Sequence, residues 1–321
     1  MDITLDPYQQ WTYKVGPRSL PNRERQKWLG ELVVTSSADQ SVEVWDLVTG
    51  MPLRVWAGHD DDVMSVAVNA DFTRMITGCA DGTVSAWDPV AQTPPRVLAF
   101  LESRVWAVAM TPDGSRVLTG GRDGLVRVWD VVTGHQVHEL AGHTAGVAAL
   151  TLTPDGVRAV SASHDGTAAV WDLTTGQRLH VLRGHRDRVV AVAVTSDGTQ
   201  VITGGDDGTA RLWDLTTGRP VRVLEAHTGW VNAVAVAPDG TQVLTSGDDG
   251  TARVWDRSTG HLVHALEGHT DRVRAVAVTP DGSRAVTGGD DHTLRAWDLT
   301  TGRETKVLHD HTGPVLSVTL R

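Results

Sequence analysis

Apolar and polar positions along the chain alternate in short runs, and none has the spacing of an amphipathic helix. Residues 185–226 show the unit. Val189 to Val194 reads VVAVAV, Ser196-Asp197-Gly198 supplies turn chemistry, and Gln200 to Thr203 is a second, β-branched run. Asp207-Gly208 marks a hairpin turn, and Thr209 to Trp213 alternates as a third strand. Thr217-Gly218 turns again, and Pro220 to Leu224 is a fourth strand. Four short strands joined by tight turns predict one antiparallel sheet.

The unit recurs without insertion or deletion. Trp-Asp stands at 45–46, 87–88, 129–130, 171–172, 213–214, 255–256 and 297–298, a constant step of 42 residues. Gly58-His59, Gly142-His143, Gly184-His185 and Gly268-His269 keep the same step, with Ala226-His227 and Asp310-His311 as variants. A chain with these markers over residues 31–320 resembles the tryptophan–aspartate (WD) repeat family. The resemblance implies an all-β, seven-bladed β-propeller of four-stranded antiparallel blades.

Elementary packing leads the same way. A four-stranded sheet cannot cover both its faces, so neighbouring blades must do it. Inner strands rich in Ala and Val suit the crowded axis of such a ring. Near the N-terminus there are only three strands, about residues 31–36, 41–46 and 52–56, and after the last complete repeat one more, Pro314 to Leu320. Three plus one complete a blade, so N- and C-terminal strands should share it and close the ring. The expected domains are an N-terminal extension, 1–30, emerging opposite the Gly-His loops, and one propeller, 31–321.

Composition narrows the function. Of 321 residues, 12 are Trp against two Tyr and two Phe, an imbalance the repeat explains. The net charge of −10 argues against nucleic acid as a partner. Cys79 is the only cysteine, which excludes an internal disulfide and a cysteine-based metal site. No apolar stretch is long enough for a membrane span and MDITLDPYQQ is no signal peptide, so a cytoplasmic, monomeric protein is expected. No cofactor is expected. His138, His180 and His264 share one outer column, read as repeat inheritance rather than a metal site.

In the WD-repeat family a His, a Ser or Thr, an Asp and the Trp of one blade form a hydrogen-bonded tetrad. The resemblance maps it onto His59, Thr77, Asp81 and Trp87; His143, Ser161, Asp165 and Trp171; and His185, Thr203, Asp207 and Trp213. It continues with His227, Thr245, Asp249 and Trp255; His269, Thr287, Asp291 and Trp297; and His311 with Thr35, Asp39 and Trp45 in the shared blade. A hydroxyl, a His and an Asp also make a catalytic triad, but a catalytic set repeated around a ring is implausible, and a structural network is the expectation. One blade has Leu101 for the His and Phe100 for the Gly. Asp123 should then lack its partner, leaving a looser loop unless Arg104 or Arg122 compensates.

The family resemblance places recognition on the Gly-His face, at positions three and five residues after the His and just before the tetrad Asp. These are Asp62, Met64 and Ala80; Arg104, Trp106 and Arg122; Gly146, Ala148 and His164; Arg188, Val190 and Asp206; Trp230, Asn232 and Asp248; Arg272, Arg274 and Asp290; and Pro314, Leu316 and Ala38. Pro314, Leu316, Ala38, Met64 and Ala80 should form an apolar arc beside a basic and aromatic patch of Arg104, Trp106 and Arg122. Arg188 should pair with Asp206, and Arg272 with Asp290, as solvated ion pairs. The function expected is a non-catalytic scaffold binding a protein or acidic peptide on this rim. The alternatives are a sensor domain of a larger signalling protein, since TARLWDLTTG resembles bacterial WD-repeat arrays, and an enzyme or small-molecule binder at the channel mouth.

Overall fold

The computed structural model describes residues 32–320 apart from Val48, Ala70, 90–94 and Asp310, so the expectation for residues 1–30 lies outside the described residues. Among the described residues, twenty-eight strands form seven four-stranded antiparallel sheets. In blade 1, Val315–Leu320 pairs with Leu32–Ser37, which continues outward through Val42–Asp46 to Pro52–Trp56. Blades 2 to 7 follow in sequence at residues 63–100, 105–140, 147–183, 189–225, 231–267 and 273–308. The first strand of each touches its counterparts in both neighbours, and Val315–Leu320 touches the first strands of blades 7 and 2, so the ring is closed. No helix in the described residues is long and apolar enough to cross a membrane.

The strand pattern of residues 185–226 is as expected, with one informative difference. The second strand runs past Thr203 to Gly205, pairing Val189 with Gly205 and Gln200 with Asp214. Glycine normally weakens a strand, but a Cβ on Gly204 would lie 2.7 Å from Val231 Cγ1 of the next blade. Gly288 is the same device at the closure, where a Cβ would lie 2.6 Å from Val315 Cγ1. The missing side chain lets the neighbouring inner strand come close.

The core sits between blades rather than within them. Seven clusters of buried side chains each span one seam. Alternation along one strand feeds two seams: Val33 packs with Val286, Leu294 and Val315, whereas Val34 packs with Val63, Val66 and Trp87. Each fully buried Val or Leu contributes about 1.5–3 kcal/mol, so a blade removed from its neighbours would lose most of its stabilisation.

The outer rim carries a second set of fasteners, at positions 54, 96, 138, 180, 222, 264 and 306. Arg96 donates to the Val132 carbonyl at 2.8 Å, His180 Nε2 to Thr216 at 3.0 Å, and Arg222 to Ser258 and Thr259, both at 2.6 Å. Arg54 bonds the Pro89 carbonyl, His138 and His264 lie on Gly176 and Gly302, and Lys306 lies on Gly50 across the closure. Of the outer histidines, His180 bonds the next blade's turn, and His138 and His264 lie against theirs.

Candidate functional site

The tetrads come together as four-residue chains in five blades. In blade 5 the Trp213 indole N–H donates to Thr203 Oγ1 at 2.8 Å, and His185 Nε2 meets the same oxygen at 2.8 Å. His185 Nδ1 lies 3.1 Å from both oxygens of Asp207. A carboxylate only accepts, so Nδ1 carries the proton and the hydroxyl donates to Nε2. Blade 4 repeats this with His143 at 2.7 Å from Ser161 and 2.8 Å from Asp165, and blades 6 and 7 do so around His227 and His269. In blade 1, His311 from the C-terminal segment reaches Thr35 at 2.8 Å and Asp39 at 3.2 Å.

Charge follows the same geometry. Burial would lift Asp207, but the Arg186 backbone N–H, the Thr209 hydroxyl and His185 outweigh it and hold its carboxyl at about 2. Burial keeps His185, His227 and His269 below the ordinary imidazole range despite their Asp partners. Each is thus a neutral ring on an ionised carboxylate. The seven hydroxyls, Thr35, Thr77, Thr119, Ser161, Thr203, Thr245 and Thr287, are 0% exposed. A nucleophile must meet substrate, and these oxygens are shut off from solvent. The tetrads fasten loops to blades.

Two blades depart from the expected set. In blade 2 the Trp87–Thr77 bond forms at 2.9 Å, but His59 turns Nδ1 to the Gln40 carbonyl at 3.1 Å. Its ring sits 5.1 Å from that of Trp87, and burial pushes it down to about 4. In blade 3 Trp129 still donates to Thr119 at 3.0 Å. Neither Arg104 nor Arg122 compensates for the missing His: Asp123 pairs with Arg127 at 2.6 Å and accepts the Leu125 N–H at 3.1 Å. Arg127 stands four residues after the tetrad Asp, in the column of Arg211, Arg253 and Arg295, so the signal was in the repeat. The adjoining loop is also held, by the Leu101 N–H on the Gly82 carbonyl at 2.9 Å.

The expected rim residues fall into three sectors of the Gly-His face. Over blades 5 to 7, Trp230 lies between two guanidinium groups, with Arg188 Cζ 5.1 Å and Arg272 Cζ 5.9 Å from its ring centroid. Arg188 pairs with Asp206 at 2.5 Å, the expected partner but with its carboxylate buried rather than solvated, whereas Arg272 reaches Asp248 of the neighbouring blade at 3.6 Å. Asp290 is taken instead by Arg274, through two bonds of 2.9 and 2.8 Å that lift the guanidinium above its usual value. Asn232 bonds Asp248 at 2.9 Å and the Val273 carbonyl at 3.1 Å.

Over blades 3 and 4, the Trp106 ring packs on His164 with centroids 4.8 Å apart, and burial holds His164 below its ordinary value. Gly146 makes this possible, since a Cβ there would meet the Trp106 ring at 2.3 Å. Arg104 and Arg122 are exposed neighbours, joined by a 3.2 Å backbone bond, and neither has an ion pair among the described residues. They line a groove that does not include Trp106, so the expected patch divides in two. In the third sector Ala38, Met64, Pro314 and Leu316 are half-buried, Ala80 is buried and Asp62 lies half-buried beside them.

A family model described as WD domain, G-beta repeat matches residues 50–88, 96–130, 134–172, 176–214, 218–256 and 260–298, more than half of the chain.

Proposed function

This chain belongs to the WD40 repeat family, and on that premise we propose that it is a non-catalytic scaffold binding a protein or peptide with the rim of its Gly-His face. WD40 propellers commonly serve protein interaction. The observation that carries the reading is Trp230, 39% exposed and held between Arg188 and Arg272. A large aromatic side chain fixed in place at the surface presents contact area at little ordering cost. Trp106 on His164 is a second fixed aromatic, and Arg104 and Arg122 add cationic groups where the same blade faces blade 2. The proposed surface comprises Asp62, Met64, Arg104, Trp106, Arg122, His164, Arg188, Trp230, Asn232, Arg272, Arg274 and Leu316. Asn232, Arg188, Arg272 and Arg274 shape it through their Asp partners, and the exposed aromatic faces make the contact.

Affinity capture with the wild type and with a Trp106→Ala/Trp230→Ala variant tests this. Both substitutions should leave thermal unfolding within a few degrees, because neither ring belongs to a core cluster. A partner retained by the wild type and lost by the variant supports the rim. Equal retention by both contradicts it.

A further inference from the structure

The seam between blades 2 and 3 is unlike its equivalent two blades on. Between blades 4 and 5, the cleft beside Gly184, His185 and Arg188 holds about 290 Å³. Between blades 2 and 3, the corresponding cleft beside Phe100, Leu101 and Arg104 holds about 940 Å³. Two substitutions at one corner account for the difference. Leu101 replaces the imidazole that would have bonded Asp123, and Asp123 turns to Arg127 instead. Phe100 replaces the glycine, and a register shift between Val84 and Ser85 carries it into the strand opposite Thr83. At Gly184 an added Cβ would lie 3.0 Å from Arg211 and 3.1 Å from Trp213, so a side chain is obstructed there. At residue 100 the shifted strand leaves the ring outside.

Phe100 is the most exposed large apolar side chain among the described residues, at 75%. Covering such a ring contributes about 1.5–3 kcal/mol, so an occupant would gain by packing on it. Charge narrows the occupant. Arg188, Arg272 and Arg274 each have a carboxylate, whereas Arg104 and Arg122 have none among the described residues. Of the groove's own acids, Asp123 is held by Arg127 and Asp81 accepts the Thr83 N–H at 2.8 Å, and neither Asp81 nor Glu102 forms an ion pair with Arg104 or Arg122 among the described residues. Arg presents a planar fork suited to a carboxylate.

We infer that this groove is a docking site for a short acidic peptide segment of a partner, with an apolar side chain on Phe100 and Leu101 and a carboxylate on Arg104 and Arg122. The inference rests on the scaffold reading and names a partner class for one sector of the same face.

The test uses the full chain and a library of short synthetic peptides with one central Leu or Phe flanked by Asp and Glu, by Ser, or by Lys, read by fluorescence polarisation. The acid-flanked peptides should bind best. Affinity should fall about tenfold or more in Phe100→Ser and in Arg104→Glu/Arg122→Glu, where only exposed side chains change, and hold in Trp230→Ala. Preference for Lys flanks, or no peptide binding at all, overturns the inference. Binding that survives both groove variants but is lost in Trp230→Ala also overturns it, while leaving the scaffold reading in place.

Discussion

His311 Nε2 and Thr35 Oγ1 are 276 positions apart in sequence and 2.8 Å apart in space. The same imidazole holds Asp39 through Nδ1, and its Nε2 lies 3.5 Å from the buried carboxylate of Glu43. The tetrad that elsewhere fastens a loop to the following blade here fastens one end of the chain to the other. Val315 in the seam and Lys306 on Gly50 at the outer edge join the same two ends. Closure is therefore distributed from axis to rim.

His311→Ala removes two hydrogen bonds, leaving Thr35 only the Trp45 indole and the Glu43 carbonyl, and Asp39 only Ser41 and the Thr312 N–H. A loss of about 2–4 kcal/mol is expected, measured by chemical denaturation. Its cooperativity should persist, because the Val315–Leu320 strand still pairs with Leu32–Ser37.

Acid should weaken the fold in two steps. His59 sits near 4 in the folded protein and near 6.5 when unfolded, so the unfolded chain binds more protons between these values. Stability is therefore complete above about 6.5 and falls as pH drops toward 4, by roughly 3 kcal/mol for His59, with His185, His227 and His269 adding in the same direction. Asp207, near 2 when folded, holds its contribution above its unfolded value of 3.8 and loses it as pH falls through 2. Denaturant midpoints across this range should slope upward with pH, and His59→Asn should flatten the slope above pH 4.

Blade 3 can be returned to the repeat pattern. Phe100→Gly/Leu101→His supplies the missing imidazole to Thr119 and Asp123 and should stabilise the protein by about 1–2 kcal/mol. The opposite change, Arg127→Ala, should cost about 1 kcal/mol, the modest figure expected for a pair that is partly exposed. Thermal unfolding of the two variants checks both signs.

Cys79 is 2% exposed, and burial pushes its thiol up to about 12. The native protein should resist alkylation at mildly alkaline pH, and modification should track unfolding of the seam it packs in. Prompt labelling of the native protein would mean that blade 2 opens locally.

Gly146→Val should displace the Trp106 ring from His164, at a cost of about 1–3 kcal/mol. A changed tryptophan emission spectrum with an otherwise intact fold would report it, whereas an unchanged spectrum would contradict the packing.

The fold was legible because every blade carries the same markers at the same step, and the strand count at the two ends required a shared blade. Side-chain partnerships were legible only where they stay within one repeat and keep their residue types. Arg272 finds Asp248 rather than Asp290 because a long side chain at the entry to an inner strand reaches the neighbouring blade as easily as its own. His59 kept its letter in the sequence but took the Gln40 carbonyl, a contact between blades that column alignment does not contain. The Gly204 column escaped notice because a residue that acts through its missing side chain resembles the end of a strand.

The rim claim is tested most directly by placing a photo-crosslinking residue at position 230 and, separately, at position 157. Trp230 lies on the Gly-His face, and Val157, 43% exposed, lies in a turn on the opposite face. A scaffold of the kind proposed links its partner in cells from position 230 and not from 157. Linking from 157 alone would place the docking surface on the other face and contradict the account.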